Sequence, residues 1–212
     1  MRSGPATRKA RLVPVPVSKR DAILRAATDV FDERGYFNAQ VADVARGAGV
    51  AAGTVYLYFR SKDDLLISIF ERGMRQAIEA ARELAAAVAD PRERLHRFAR
   101  LHLERLGRDR NLAVVFQVEL RQSTKFMERF SATLLRDYLG LLRDAIAEGQ
   151  QSGLFRTDIN PTVAAKALFG ALDEMATNWV LSHRRYSLTG AADSVIDLLL
   201  NGLQTAPARK AN

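Results

Sequence analysis

The side chains with most to offer chemically lie between positions 40 and 62. Thr54, Tyr56 and Tyr58 put three hydroxyls on one short segment, and Ala52 and Gly53 ahead of them are small enough to let a bulky partner approach the backbone. Gln40 and Lys62 flank this segment with an amide and a cation. Such groups suit phosphate oxygens, and the two tyrosines can also pack on thymine methyl groups. Thr54 would stand at a helix N-terminus, where unpaired N–H groups and the helix dipole favour an anion. This is the chemistry of recognition and not of bond-making.

Groups for covalent chemistry are missing or unsupported. The chain has no cysteine, and His96, His102 and His183 show none of the spacings of a histidine metal site. The adjacent Asp173 and Glu174 interrupt an apolar stretch, but no nucleophile, metal spacing or phosphate loop accompanies them. They read as a polar network at a dimer seam or pocket. We expect a protein that is not an enzyme and holds no cofactor or metal.

The elements that must position the 40–62 groups follow from local signals. Val41 to Arg46 has a short helical pattern, Ala48-Gly49 makes a turn, and Ala52 to Tyr58 forms a second short helix: a helix-turn-helix, whose second helix enters the DNA major groove. Val44, Ala45, Val50, Val55 and Phe59 occupy inward positions. Ser18 caps a preceding helix that Gly35 stops near Arg34. Ser61-Lys-Asp-Asp64 is a capping box opening a long helix to about Ala89. Asp90-Pro91-Arg92-Glu93 starts the next, to about Gly107. Further helices are expected from about Asn111 to Gln122, from Lys125 to Ser152 with Gly153 as the stop, from Pro161 to His183, and from Thr189 to Leu203. No alternating run argues for a strand. The fold expected is all-α, with nine helices.

The 212 residues, 48% of them hydrophobic, suffice for a sizeable core. The net charge of +8 is concentrated at the ends. Arg2, Arg8, Lys9, Arg11, Lys19 and Arg20, with Arg209 and Lys210, account for all of it, so the body between is neutral. The basic arm could lie along phosphates or in a minor groove, or serve as a proline-containing solubilising leader. No apolar signal segment follows it, and apolar stretches stop short of the roughly 18 residues a membrane span needs. A soluble, cytoplasmic protein without membrane partners is expected. Its divisions would be a basic arm at 1–17, a DNA-binding domain at 18–61, a ligand-binding and dimerisation domain at 62–205, and a basic tail at 206–212.

The stretch Gly49-Val-Ala-Ala-Gly-Thr-Val-Tyr-Leu-Tyr-Phe-Arg-Ser-Lys-Asp-Asp-Leu65 resembles the signature of the TetR family of bacterial transcriptional repressors, and Ile23 to Gly35 fits that family's first helix. The resemblance implies a homodimer on a palindromic operator in double-stranded DNA, released when a small molecule fills the C-terminal body. The family's phosphate-contacting threonine, tyrosine and lysine fall on Thr54, Tyr56 and Lys62. Many members have threonine where Ala39-Gln40 stands here.

Two further motifs narrow the resemblance. Asn111-Leu-Ala-Val-Val-Phe-Gln-Val-Glu-Leu-Arg-Gln-Ser123 and Phe169-Gly-Ala-Leu-Asp-Glu-Met-Ala-Thr-Asn-Trp179 are similar to segments of the FadR-type, acyl-CoA-responsive subgroup. This implies a repressor of fatty-acid degradation genes, with long-chain acyl-CoA as effector. The alternative is a TetR-type repressor answering another hydrophobic molecule, for example one controlling an efflux pump. An acyl-CoA site needs apolar walls and cations. Phe98, Leu101, Val115, Phe116, Leu120, Phe126, Phe169, Leu172 and Trp179 are the candidate walls, with His102, Arg105 and Arg121 as polar members. Arg92, Arg94, Arg97 and Arg100 crowd the same helix and read mainly as a solvated face. The last two helices carry apolar faces suited to a four-helix dimer seam.

Overall fold

Helix starts here are made by side chains a turn away. In a computed structural model describing residues 18–122, 133–182 and 186–203, Ser18 accepts the Asp21 amide proton at 3.1 Å and opens α1, Lys19–Arg34. Its inward face carries Ile23, Ala27 and Phe31, each with no exposed surface. Gly35 ends it at φ +73°, a left-handed conformation open to glycine. Helix α2, Val41–Gly47, and α3, Ala52–Tyr58, follow, joined by a turn in which Gly49 takes φ +66°. Only Val55 of α3 is buried, so most of that helix's surface faces away from the core.

Ser61 accepts the Asp64 amide proton at 3.1 Å and opens α4, Lys62–Ala87. At 26 residues it is about 39 Å long and leads out of the helix-turn-helix into the rest of the chain. Asp90 caps α5, Pro91–Arg108, with proline in the first turn. Helix α6, Arg110–Val114, passes into a π-helical turn, Val115–Glu119, and a 3-10 turn, Leu120–Gln122. Then come α7, Leu134–Gln151, α8, Pro161–Leu181 capped by Asn160, and α9, Gly190–Leu203. Among the described residues there are nine α-helices and no strand.

Helix α7 packs on α4, α5 and α8, while α9 lies against α5 and α8. One apolar core runs through all these helices, from Ile23 to Leu203. Among the described residues no helix is long and apolar enough to cross a membrane.

Two expectations need correcting. The segment expected as one helix from Asn111 to Gln122 changes register at Val115, which brings Gln117 and Glu119 inside at 5% and 6% exposure. A π turn adds a residue to the turn and so re-aims the side chains that follow. The helix expected from Lys125 to Ser152 is interrupted at Thr133, outside helical geometry at φ −133° and ψ −70°, and its described part is Leu134–Gln151. Phe126, with Lys125, lies outside the described residues, as do the arm, the tail beyond 203, and His183.

Candidate DNA-binding and effector sites

The outward face of α3 presents Tyr56 at 57%, Leu57 at 82% and Tyr58 at 42% exposure. Ala52 and Gly53 are also exposed, Thr54 is half-buried, and Gln40 stands exposed ahead of α2. A Cβ built on Gly53 would meet nothing within 4 Å, so a large partner can approach that backbone. Of the expected contact residues, Gln40, Ala52, Gly53, Tyr56 and Tyr58 are thus exposed on the helix-turn-helix and Thr54 is half-buried.

Lys62 is placed differently. Its Nζ donates to three carbonyls, those of Tyr36 at 2.8 Å, Phe37 at 3.0 Å and Ala39 at 3.0 Å, and sits 4.7 Å from the Tyr36 ring centroid. An ammonium has three protons, so all its donors are engaged. In this arrangement the ammonium of the expected phosphate ligand clamps the segment joining α1 to α2. The Tyr36 phenol in turn donates to Asp63, and burial, with that hydrogen bond, pushes its pKa well above the usual range.

The same segment touches the C-terminal body. The Tyr36 amide donates to Glu119 Oε2 at 2.7 Å, from the π turn. Three residues earlier, Phe116 lies 4.7 Å from Phe70 of α4, ring centre to ring centre. A Cβ on Gly73 would fall 2.7 Å from the Phe116 ring, so glycine is what lets the π turn and α4 approach this closely. The π turn therefore meets both the α1–α2 segment and the helix leaving the helix-turn-helix.

Between α4, α5, the π turn, α7 and α8 lies a cavity of about 420 Å³. That size falls within the range of small-molecule sites. Phe70, Met74, Leu106, Leu112, Phe116 and Leu120 give it apolar walls. His102, Arg105, Gln117, Arg121, Tyr138 and Asp173 bring polar groups to it. Arg121 pairs with Asp173 and donates to Gln117 Oε1 at 2.9 Å, while the Gln117 amide donates to Asp173 at 2.9 Å and Thr177 donates to Gln117 at 2.9 Å. This network satisfies a buried glutamine that would otherwise be costly to enclose. His102 Nδ1 is 3.0 Å from the Tyr138 hydroxyl, and burial lowers the histidine pKa to about 4, leaving it neutral at physiological pH.

Of the expected effector residues, His102, Arg105, Phe116, Leu120, Arg121 and Phe169 line this cavity. Five others do not. Val115 and Leu172 have no exposed surface and belong to the closed core, and Phe98 packs 4.9 Å from the Tyr138 ring. Leu101 is half-buried on α5, one residue and so about 100° around the helix from His102. Trp179 donates its indole proton to the Tyr186 carbonyl at 2.9 Å and has the Arg110 guanidinium 5.5 Å from its ring. Arg94, Arg97 and Arg100 are paired with Glu148, Glu93 and Asp193 at the surface. Glu174 accepts from Asn178 at 2.6 Å, away from Asp173's network. Among the described residues no group of acids and histidines could hold a metal ion.

Comparison with known proteins fits this geometry. Residues 23–69 match the family of bacterial regulatory proteins, tetR family, and residues 70–202 match the YsiA-like protein, C-terminal region. The chain belongs to the TetR family. The fatty acid metabolism regulator protein of Bacillus subtilis is 39% identical over 181 residues, spanning 85% of this chain and 93% of the relative. The solved fatty acid degradation regulator FadR from Bacillus halodurans superposes with a TM-score of 0.81 at 39% identity, covering 87% of this chain and 99% of that one. FadR from Bacillus subtilis, solved in complex with stearoyl-CoA, also gives 0.81, at 38% identity over 86% of this chain and 98% of that one. These TetR-family relatives are regulators, not enzymes.

Sequence reasoning missed several residues of the site. Gly73, Gln117 and Tyr138 line the cavity and Glu119 links it to Tyr36, whereas Asp173, also on the wall, reads from the sequence as part of a polar network at a dimer seam or pocket. A signal existed for two of them: Gln117 and Glu119 are polar residues inside the apolar run from Leu112 to Leu120. Gly73 in mid-helix was another, since glycine there is unfavourable unless something must come close.

Proposed function

We propose that this protein is a transcriptional repressor controlling fatty-acid degradation genes, and that a long-chain acyl-CoA in the central cavity releases it from its operator. One observation carries the reading: an apolar chamber of about 420 Å³ with Arg105, Arg108 and Arg121 on its wall. An acyl chain suits the apolar part, and guanidinium groups suit the phosphates of CoA. The stearoyl-CoA bound by a relative of 38% identity supports it. Residues 18–61 would contact DNA and residues 62–205 would bind effector and dimerise, in the cytoplasm.

The signal would run through the π turn. An acyl chain pressing on Phe116 and Leu120 displaces Glu119 and bears on Gly73 of α4. Glu119 holds the Tyr36 amide, and Lys62 holds the Tyr36 carbonyl, so movement there reorients α2 and α3. An effector acts only through its preference for the released state; taking the population from 1:99 to 99:1 needs roughly 5.5 kcal/mol of difference.

Two copies would meet through α8 and α9. Val163, Ala167, Gly170, Glu174, Asn178 and Leu181 form an exposed stripe at helical spacing on α8, and Leu198 is exposed on α9. Gly170 at its middle permits close helix approach. Such a dimer must set its two α3 helices roughly 34–36 Å apart, one DNA turn, to enter successive major grooves.

The test selects an operator from random-sequence DNA with the purified protein, then follows its fluorescence anisotropy as palmitoyl-CoA is added. Release at micromolar palmitoyl-CoA and none with CoA alone is expected. A complex that survives saturating lauroyl-, palmitoyl- and stearoyl-CoA would refute the effector assignment.

A further inference from the structure

His102 and Tyr138 form a polar pair on the wall of the cavity, among aromatic rings. The Phe169 ring centre lies 5.6 Å from that of His102, and the Phe98 ring centre lies 4.9 Å from that of Tyr138. His102 Nε2 is buried with no hydrogen-bond partner, the only buried side-chain nitrogen or oxygen so left among the described residues. Folded proteins pair nearly all such atoms. An unpaired one beside a ligand cavity is a place for a ligand's polar atom.

The hydrogen bond at the other ring nitrogen decides what Nε2 offers. A neutral imidazole carries one N–H and one lone pair. Were the proton on Nδ1, donated to Tyr138, then both the phenol proton and the Nε2 lone pair would lack partners. With Tyr138 donating to Nδ1, only one group is left over, the Nε2–H. Burial raises the Tyr138 pKa far above its usual range, so the phenol keeps the proton it donates. His102, a residue of the cavity wall, thus keeps one unpaired group, the Nε2–H of a neutral ring, which a ligand would reach only by displacing the side chains that now cover it.

A long-chain acyl thioester carries one strong hydrogen-bond acceptor where its apolar chain begins: the carbonyl oxygen. We infer that His102 Nε2–H donates to the acyl carbonyl oxygen of the effector, so that the His102–Tyr138 pair distinguishes an acyl thioester from an alkyl chain of the same length. Arg105, about one turn further along α5, is also on the cavity wall. The assignment rests on the acyl-CoA reading above and adds a contact which that reading does not need.

The experiment compares palmitoyl-CoA with S-hexadecyl-CoA, a thioether in which a methylene replaces the carbonyl, by isothermal titration calorimetry. Wild-type protein should bind the thioester about tenfold more tightly, the effect of one buried hydrogen bond. His102→Leu should bind the two within about twofold of each other. Tyr138→Phe keeps the ring but frees the imidazole tautomer, and should reduce the preference even if the leucine variant folds poorly. Equal binding of both ligands by wild type, or a tenfold preference persisting in His102→Leu, would overturn the assignment while leaving the acyl-CoA reading intact. If neither ligand binds wild type, the acyl-CoA reading fails and takes this contact with it.

Discussion

Replacing Lys62 by methionine separates two roles that the sequence could not tell apart. The substitution keeps the apolar stem and removes the ammonium that donates to the Tyr36, Phe37 and Ala39 carbonyls at 2.8–3.0 Å. A hydrogen bond to a charged group contributes roughly 1.5–3 kcal/mol, but these three share one ammonium and water can reach the Phe37 carbonyl. A net loss of about 2–3 kcal/mol is therefore expected, including the cation–π contact with Tyr36. For a chain of this length that lowers Tm by roughly 4–12 °C. Differential scanning calorimetry reads this directly. Operator affinity measured against salt supplies the second readout. A phosphate ligand removed from the interface reduces the slope of log K against log salt by about one, whereas loss of an internal clamp weakens binding without changing the slope. An unchanged Tm together with a slope reduced by one would refute the clamp and restore Lys62 to the DNA interface.

Three other outcomes follow from the geometry. Gly73→Ala places a methyl 2.7 Å from the Phe116 ring, which must shift and which lines the cavity. Stability should fall by about 1 kcal/mol, near the low end for overpacking, while palmitoyl-CoA affinity drops several-fold; calorimetric titration showing unchanged affinity would contradict the placement of Phe116. His102 is neutral in the fold, with its pKa lowered from 6.5 to about 4, and the unfolded chain takes up the proton first as pH falls. Stability should thus decline between about pH 6.5 and 4, by as much as ~3 kcal/mol from this group, and urea titrations of His102→Leu should lack that part of the decline. Leu198, 76% exposed on α9, should sit in the seam between copies, so Leu198→Asp should convert a dimer to a monomer in sedimentation velocity, and a persistent dimer would move the seam elsewhere.

Helix starts were legible because capping is local. Ser18, Ser61, Asp90 and Asn160 each accept amide protons from residues two or three positions on, and the run of residues that specifies each start lies within a single turn. The helix-turn-helix was legible for the same reason, since its glycine turn and the buried Val44 and Val55 lie within a dozen or so residues of each other. The π turn was not. Its register is set by what Phe116, Gln117 and Glu119 meet on α4, α8 and the α1–α2 segment, and none of those partners is near in sequence.

By itself, the sequence determined an all-α chain, where most of its helices begin and end, and a face of small and hydroxyl-bearing residues turned outward on α3. Tertiary structure decided which groups meet. Glu119 reaches an amide 83 positions away, and Lys62 reaches carbonyls 23 to 26 positions back. A lysine seeks oxygen whether it belongs to phosphate or to peptide, so composition and spacing are the same for both. Only the packing of the chain around that ammonium determines which oxygen it finds.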